Sequence, residues 1–157
     1  MLRAAQRAGL AVALALCAAG CATAPAVRRG REPPPAAARV VTLEATGYCP
    51  CGACCGWHRN CLFTPVYSGG PLRGRRKEVG VTASGTAARR GTIAADTALF
   101  PFGTRLFVPG YGYGRVEDRG GDIKGARLDL FFPTHAEAVR WGRRRVNVHV
   151  WPPGSGE

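Results

Sequence analysis

The side chains in this sequence whose types and spacing can do chemistry fall into two groups, a set of aspartates and a cluster of cysteines. Asp96 closes the run Thr92-Ile93-Ala94-Ala95-Asp96, Asp118 opens Asp118-Arg119-Gly120-Gly121, Asp122 follows, and Asp129 sits inside Leu128-Asp129-Leu130-Phe131-Phe132. A period of two puts Leu128, Leu130 and Phe132 on one strand face and Asp129 beside Phe131 on the other. A carboxyl beside aromatic surface loses hydration, and its pKa rises toward neutrality. A proton held there suits general acid catalysis of glycosidic cleavage. The same residues have a plainer reading: Asp96 and Asp118 as turn caps, and Asp129 facing water from a half-exposed strand.

Cys49, Cys51, Cys54, Cys55 and Cys61 lie within thirteen residues, with His58 among them. Cys51-x-x-Cys54 can place two thiolates on one metal, and Cys61 or His58 can complete a tetrahedral zinc site. Disulfides serve equally well in an exported domain. Both remain open from spacing alone. Adjacent Cys54 and Cys55 do not pair readily with each other, and two bridges among five thiols leave one over. A catalytic thiol is disfavoured because no His and acid stand at identifiable positions to activate it. His58 by itself fits an exposed loop histidine, while His135 fits the first turn of a helix.

The elements that must position these groups are short. Val40–Tyr48 reads as a strand, then come the cysteines and a Gly/Arg-rich loop from Ser68 to Lys77. Val79–Ala83, Thr92–Ala95, Thr104–Val108, Gly114–Glu117 and Arg127–Phe132 are β-like runs bounded by Gly, Pro or Asp. Thr134-His135-Ala136-Glu137 is a capping box opening a helix through Trp141, which Gly142 ends. Val146, Val148 and Val150 alternate with polar or amphipathic residues, predicting a final half-buried strand. Six or seven strands with one short helix make a mainly β fold, a small barrel or sandwich.

The chain has 157 residues, 46% hydrophobic, with 22 Lys plus Arg against 10 Asp plus Glu and a formal net charge of +12. That length holds one ordinary domain. No apolar run is long enough for a mature transmembrane helix. Arg3 and Arg7 precede the apolar stretch Ala8–Ala19, the pattern of a secretory signal over residues 1–20. Ala18-Ala19-Gly20-Cys21 reads as a lipoprotein cleavage box with Cys21 acylated, and Ala24-Pro25-Ala26 offers an ordinary signal-peptidase exit; the lipid anchor is preferred. Residues 21–39, rich in Ala, Pro and Arg, form an extended tether. Residues 40–152 then make the domain, with the Cys-rich insertion at 49–61 and a tail at 153–157. Basic groups such as Arg75-Arg76-Lys77 and Arg143-Arg144-Arg145 lack the interleaved aromatics that stack bases. No nucleic-acid partner is therefore expected, and anionic wall polymers or lipid surfaces are the expected class of counterpart.

Beyond these patterns, Thr92–Asp96, Pro101-Phe102-Gly103-Thr104, Val108-Pro109-Gly110-Tyr111-Gly112, Glu117–Gly125 and Leu128–Phe132 resemble, in order, the motifs of the three-aspartate or 3D domain. The resemblance runs from about Thr82 to Trp151. It implies a double-psi β-barrel like that of membrane-bound lytic transglycosylase A and of stationary-phase survival proteins similar to resuscitation-promoting factors. It implies Asp129 as general acid/base, Asp118 as its partner and Asp96 as a third member lining the same groove. Thr104, Arg119, Gly120, Gly121, Asp122 and Lys124 would contact the substrate. Arg119 stands where the family commonly has Thr, and Asp122 where it has Ala. The implied reaction is non-hydrolytic cleavage of the MurNAc–GlcNAc β-1,4 bond in peptidoglycan, giving a 1,6-anhydro end and requiring no cofactor for catalysis. Structural zinc at the cysteines stays undecided. The competing class is a barrel that grips wall polysaccharide without cutting it. A third is a thiol- or metal-handling protein.

Overall fold

The computed structural model describes residues 39–154. The signal, the lipidation residue Cys21, almost all of the tether and the end of the tail lie outside the described residues. Ten elements follow in chain order: β1 Arg39–Tyr48, α1 Gly52–Cys55, β2 Trp57–Arg59, β3 Pro65–Tyr67, β4 Thr92–Ala95, β5 Arg105–Val108, β6 Gly112–Asp118, β7 Arg127–Phe131, α2 His135–Trp141 and β8 Arg144–Trp151. Six of them close into the expected barrel in the order β1-β7-β4-β6-β5-β8, and β8 returns to β1. Two neighbouring pairs, β1 with β7 and β4 with β6, run parallel; the remainder are antiparallel. The first strand thus waits for the last two.

Alternation along the strands builds the interior. Leu43 and Ala45 of β1, Ile93 of β4, Leu106 and Val108 of β5, Leu128 and Leu130 of β7 and Val148 and Val150 of β8 share one apolar core. Burying a side chain of this size contributes roughly 1.5–3 kcal/mol. Helix α2 closes one end of this core with Ala138 and Trp141. Its capping box forms as the sequence predicts: Glu137 N donates to Thr134 Oγ1 at 3.3 Å, and Thr134 N donates to Glu137 Oε2 at 3.2 Å. Trp141 Nε1 donates to Ala45 O at 3.3 Å, fastening the helix to β1. The approach is close because residue 47 is glycine. A Cβ there would lie 2.9 Å from Ala138 O and 3.0 Å from Phe132 Cε2.

Two expectations are corrected. Val79–Ala83 is not a strand but a turn stack with one isolated bridge, Val81 to Ala87. Gly80 and Gly85 take positive φ there, and Thr82 Oγ1 bonds Ser84, Thr86 and the Thr86 amide, so local polar contacts displace a ladder. Conversely, the cysteine segment is more ordered than a loop. It forms the short helix α1 and a hairpin of β2 and β3, which pair antiparallel from Trp57–Tyr67 to Arg59–Pro65. Among the described residues no helix is long and apolar enough to cross a membrane.

Candidate active site

Strand register brings the acidic residues together. Asp129 on β7 faces Thr46 on β1 and Ala94 on β4, while Ala94 in turn faces Asp118 on β6. One transverse row therefore reads Thr46, Asp129, Ala94, Asp118. A bulge in the β4–β6 ladder makes this possible, because the pairing moves from Ile93–Val116 to Ala94–Asp118 and skips Glu117. The skipped Glu117 is buried, with Thr92 Oγ1 donating to it at 2.8 Å and Arg89 Nη2 at 3.2 Å. Bulges commonly re-aim a side chain beside a functional site. With strands about 4.8 Å apart, the two aspartate backbones stand roughly two spacings from each other, and only a methyl group lies between them.

Asp129 is half-buried on this outer face, and the loss of hydration there pushes its carboxyl up to about 6. The hydroxyl of Thr46, donating to Oδ1 at 2.8 Å, opposes that rise, the negative charge of Asp118 adds to it, and Arg143 opposes it. Asp118 is held by three donors: the Ala83 and Arg119 amides at 2.9 Å each on Oδ1, and the Tyr48 hydroxyl at 3.1 Å on Oδ2. Tyr48 reaches it over Phe131, the rings meeting edge to face at 5.5 Å. Burial and Asp118 together push the Tyr48 phenol up, so it stays a donor.

Two clefts meet at Asp129. The smaller, about 530 Å³, runs toward α2 and is bordered by Thr46, Arg127, His135 and Arg143. The larger, about 880 Å³, runs over Tyr48 and Asp118 toward Lys77 and Val81. Both are lined by Asp129, Asp122, Ile123 and Cys54, so the two clefts adjoin, as the two arms of a trough, at the half-buried Asp129 carboxyl. Cationic groups edge it: Arg127 and Arg143 both pair with Glu44 at one end, and Arg119 and Lys77 stand at the other.

The residues expected at the site divide. Asp129 and Asp118 come together as expected, and Arg119, Gly120, Gly121 and Asp122 line the trough. Asp96 borders neither cleft. Its Oδ1 accepts from Ala98 N at 3.1 Å and its Oδ2 from Gly125 N at 2.9 Å, which hold its carboxyl below the usual range. It is the turn cap of the plainer reading. Thr104 is 2% exposed and donates to Pro101 O at 2.6 Å, so it staples a turn and cannot reach a ligand. Lys124 is exposed near Asp96, away from both clefts. Thr46 and Tyr48 were not foreseen. Their alternation on the first strand marked a shared face, but nothing local marked which strand that face would meet.

The cysteines also divide. All five described cysteines are free. His58 does not join them; its Nδ1 lies 3.0 Å from Ser68 Oγ. Cys61 is exposed on the hairpin, and Cys55 donates to Cys49 O at 3.1 Å. The imidazole that meets Cys49, Cys51 and Cys54 is that of His135, at the start of α2.

Fold and trough define a small closed β-barrel with an acidic cleft across one face. Residues 91–152, which run from β4 through β8, match the 3D domain family. The match takes in every motif quoted above from Thr92 onward, begins nine residues after the approximate start of the resemblance at Thr82, and leaves β1 and the cysteine segment outside it. Among curated proteins, the cell wall-binding protein YocH of Bacillus subtilis is 39% identical over 75 residues, covering 45% of this chain and 26% of YocH. YabE of the same organism, named for cell wall shaping, is 41% identical over 58 residues, covering 37% of this chain and 14% of YabE. The chain thus corresponds to about a quarter or less of these relatives. Among solved structures, the Escherichia coli lytic transglycosylase MltA is 25% identical with a TM-score of 0.38, over 45% of this chain and 26% of MltA.

Proposed function

We propose that this protein acts on peptidoglycan as a lytic transglycosylase, with Asp129 as general acid/base. The observation that carries this reading is the state of Asp129: a carboxyl raised to about 6 by burial, fixed by Thr46, at the waist of a trough open on both sides. A glycan laid along such a trough presents one glycosidic oxygen to one acid. Protonated Asp129 gives its proton to that oxygen as the C1–O bond breaks. The C6 hydroxyl oxygen of the same MurNAc then bonds C1, and its proton returns to the Asp129 carboxylate. No protein nucleophile is needed, unlike in a retaining hydrolase. Asp118, held by Tyr48 and two amides, stands beside the sugar, and its proximity favours the protonated form of Asp129. The protein works in the bacterial envelope, exported by its leader and anchored through Cys21.

The second reading is a wall-binding barrel without catalysis, which YocH, a cell wall-binding protein, favours. Mass spectrometry of peptidoglycan treated with the protein and with Asp129→Asn separates the two. Anhydromuropeptides from the wild type alone support the transglycosylase. Reducing ends that depend on Asp129 mean a hydrolase on the same barrel. A folded wild type that sediments with walls yet releases nothing leaves the binding module.

A further inference from the structure

The cysteine and histidine cluster is not used by the chemistry above, and its geometry is specific. Cys49 Sγ and Cys54 Sγ lie 3.7 Å apart. His135 Nδ1 lies 3.8 Å from Cys49 Sγ, 3.6 Å from Cys51 Sγ and 3.4 Å from Cys54 Sγ. All four atoms fall within 4.8 Å of one another. Zinc–sulfur bonds of about 2.3 Å and zinc–nitrogen bonds of about 2.0–2.1 Å at tetrahedral angles give edges of about 3.8 Å for S···S and about 3.6 Å for S···N. These four distances match the edges of that tetrahedron, and the remaining two sulfur pairs lie within 4.8 Å.

The backbone is shaped to the same end. The amides of Ala53 and Cys54 are directed at Cys51 Sγ, and that of Cys51 at Cys49 Sγ, as suits thiolate ligands. Helix α1 carries Cys54 back toward Cys49 in one turn. That turn requires glycine at 52, where a Cβ would sit 2.3 Å from Trp57 O. The imidazole arrives from the far end of the domain because α2 lies directly on Gly47. The composition agrees: Cys55 and Cys61 stand apart, so three thiols and one imidazole meet without a spare ligand.

We infer that Cys49, Cys51, Cys54 and His135 hold one zinc ion, which locks the loop after β1 to the N-terminus of α2 and fixes a wall of the Asp129 trough. Binding replaces three thiol protons: Zn²⁺, three Cys–SH and a neutral imidazole give one complex of net charge −1 and three released protons. Four protein ligands leave no open position, so the ion is structural and takes no part in bond cleavage. Cys54 and His135 both border the smaller cleft, so the ion stiffens the side of the trough on which Arg143 and Thr46 also stand. It also ties together residues more than eighty positions apart, and because that site exists only in the folded chain, the free energy of binding adds to that of folding.

The test is metal content, independent of cleavage. The full chain, exported in its host and purified without chelator, is expected to carry one zinc per molecule by elemental mass spectrometry. After chelation and reduction it should take up one Co²⁺ with the intense absorption of a tetrahedral cobalt thiolate. His135→Asn should weaken zinc binding by more than the roughly 10–100-fold typical of outer-shell changes, while His58→Asn and Cys61→Ser keep one zinc. His135→Cys should keep the metal with an altered cobalt spectrum, which separates loss of a ligand from loss of folding. Protein lacking zinc that also takes up none from added Zn²⁺ after reduction overturns the inference. So does an intact mass that maps a disulfide within residues 49–54 in the exported protein.

Discussion

Asp129 and the backbone leading to Asp96 lie on paired strands, Ala94 facing Asp129 and Ala95 facing Leu128, yet the two carboxyls live in opposite surroundings. Asp96 stands past the strand end, where it stays partly exposed and gains two amide donors. Asp129 points from mid-strand into a face walled by Tyr48, Phe131 and the cysteine segment, loses much of its water and gains one hydroxyl in return. One is held below the carboxylate range and the other well above it. Residue type and motif membership are the same for both. Position relative to the strand end, and what covers the face, decide which of them can be an acid.

The sharpest way to break this contrast is Asp129→Asn. It should abolish anhydromuropeptide release, a loss on the order of 10²–10⁴-fold for removal of a general acid. It should also stabilise the fold at neutral pH. The folded carboxyl at about 6 binds its proton more tightly than the unfolded one near 4, so wild-type stability declines as pH rises through that window. An ionised Asp129 therefore costs about 2–3 kcal/mol above pH 6, which the amide does not incur. Denaturant melts at pH 7.5 and pH 4 should show the variant ahead at the first and level at the second.

Next comes Gly47→Val, which attacks the wall and spares both carboxyls. Its side chain would push into Ala138 O and Phe132, so overpacking of about 1–3 kcal/mol is expected, read as a lower denaturant midpoint. Zinc should be held more weakly as well, since α2 carries His135. Thr46→Val is subtler. Removing the donor on Oδ1 removes an interaction that favours the ionised form, so the alkaline limb of the cleavage profile should move upward in pH by less than about one unit. Asp96→Asn should leave cleavage and its pH profile nearly unchanged. It should lower the melting temperature slightly at neutral pH, with the difference fading below the usual carboxylate range, because a depressed carboxyl stabilises only while ionised. A large loss of activity there would erase the distinction between the two regions.

Local patterns carried much of this into view. The alternation around Asp129, the capping box at Thr134 and the valine alternation of the last strand each depend on residues two to four apart, and each forms as read. What stayed hidden depends on pairing between distant segments. Thr46 meets Asp129 only through a parallel ladder between residues 82 or more apart, and Tyr48 meets Asp118 over a similar gap. His135 was placed correctly on its helix, but the helix's seat on Gly47 decides where its ring points. His58, nearer in sequence, was the natural candidate, and the hairpin carries it away to Ser68. Thr104 failed for a different reason: its motif marks a turn, and the hydroxyl is consumed in making it.

Because β8 bridges β5 and β1, and β1 also needs β7, closure of this barrel is a late event in the life of the chain. A strand written first must keep both edges unsatisfied until the last thirty or so residues of the domain have been delivered. A chain cut just before Arg144 would not merely lack an edge strand. It would leave β1 and β5 with open edges on either side of a gap, a template for pairing with neighbours rather than a smaller version of the same protein. Quality control of this domain is thereby written into its connectivity: partial copies cannot pass for finished ones.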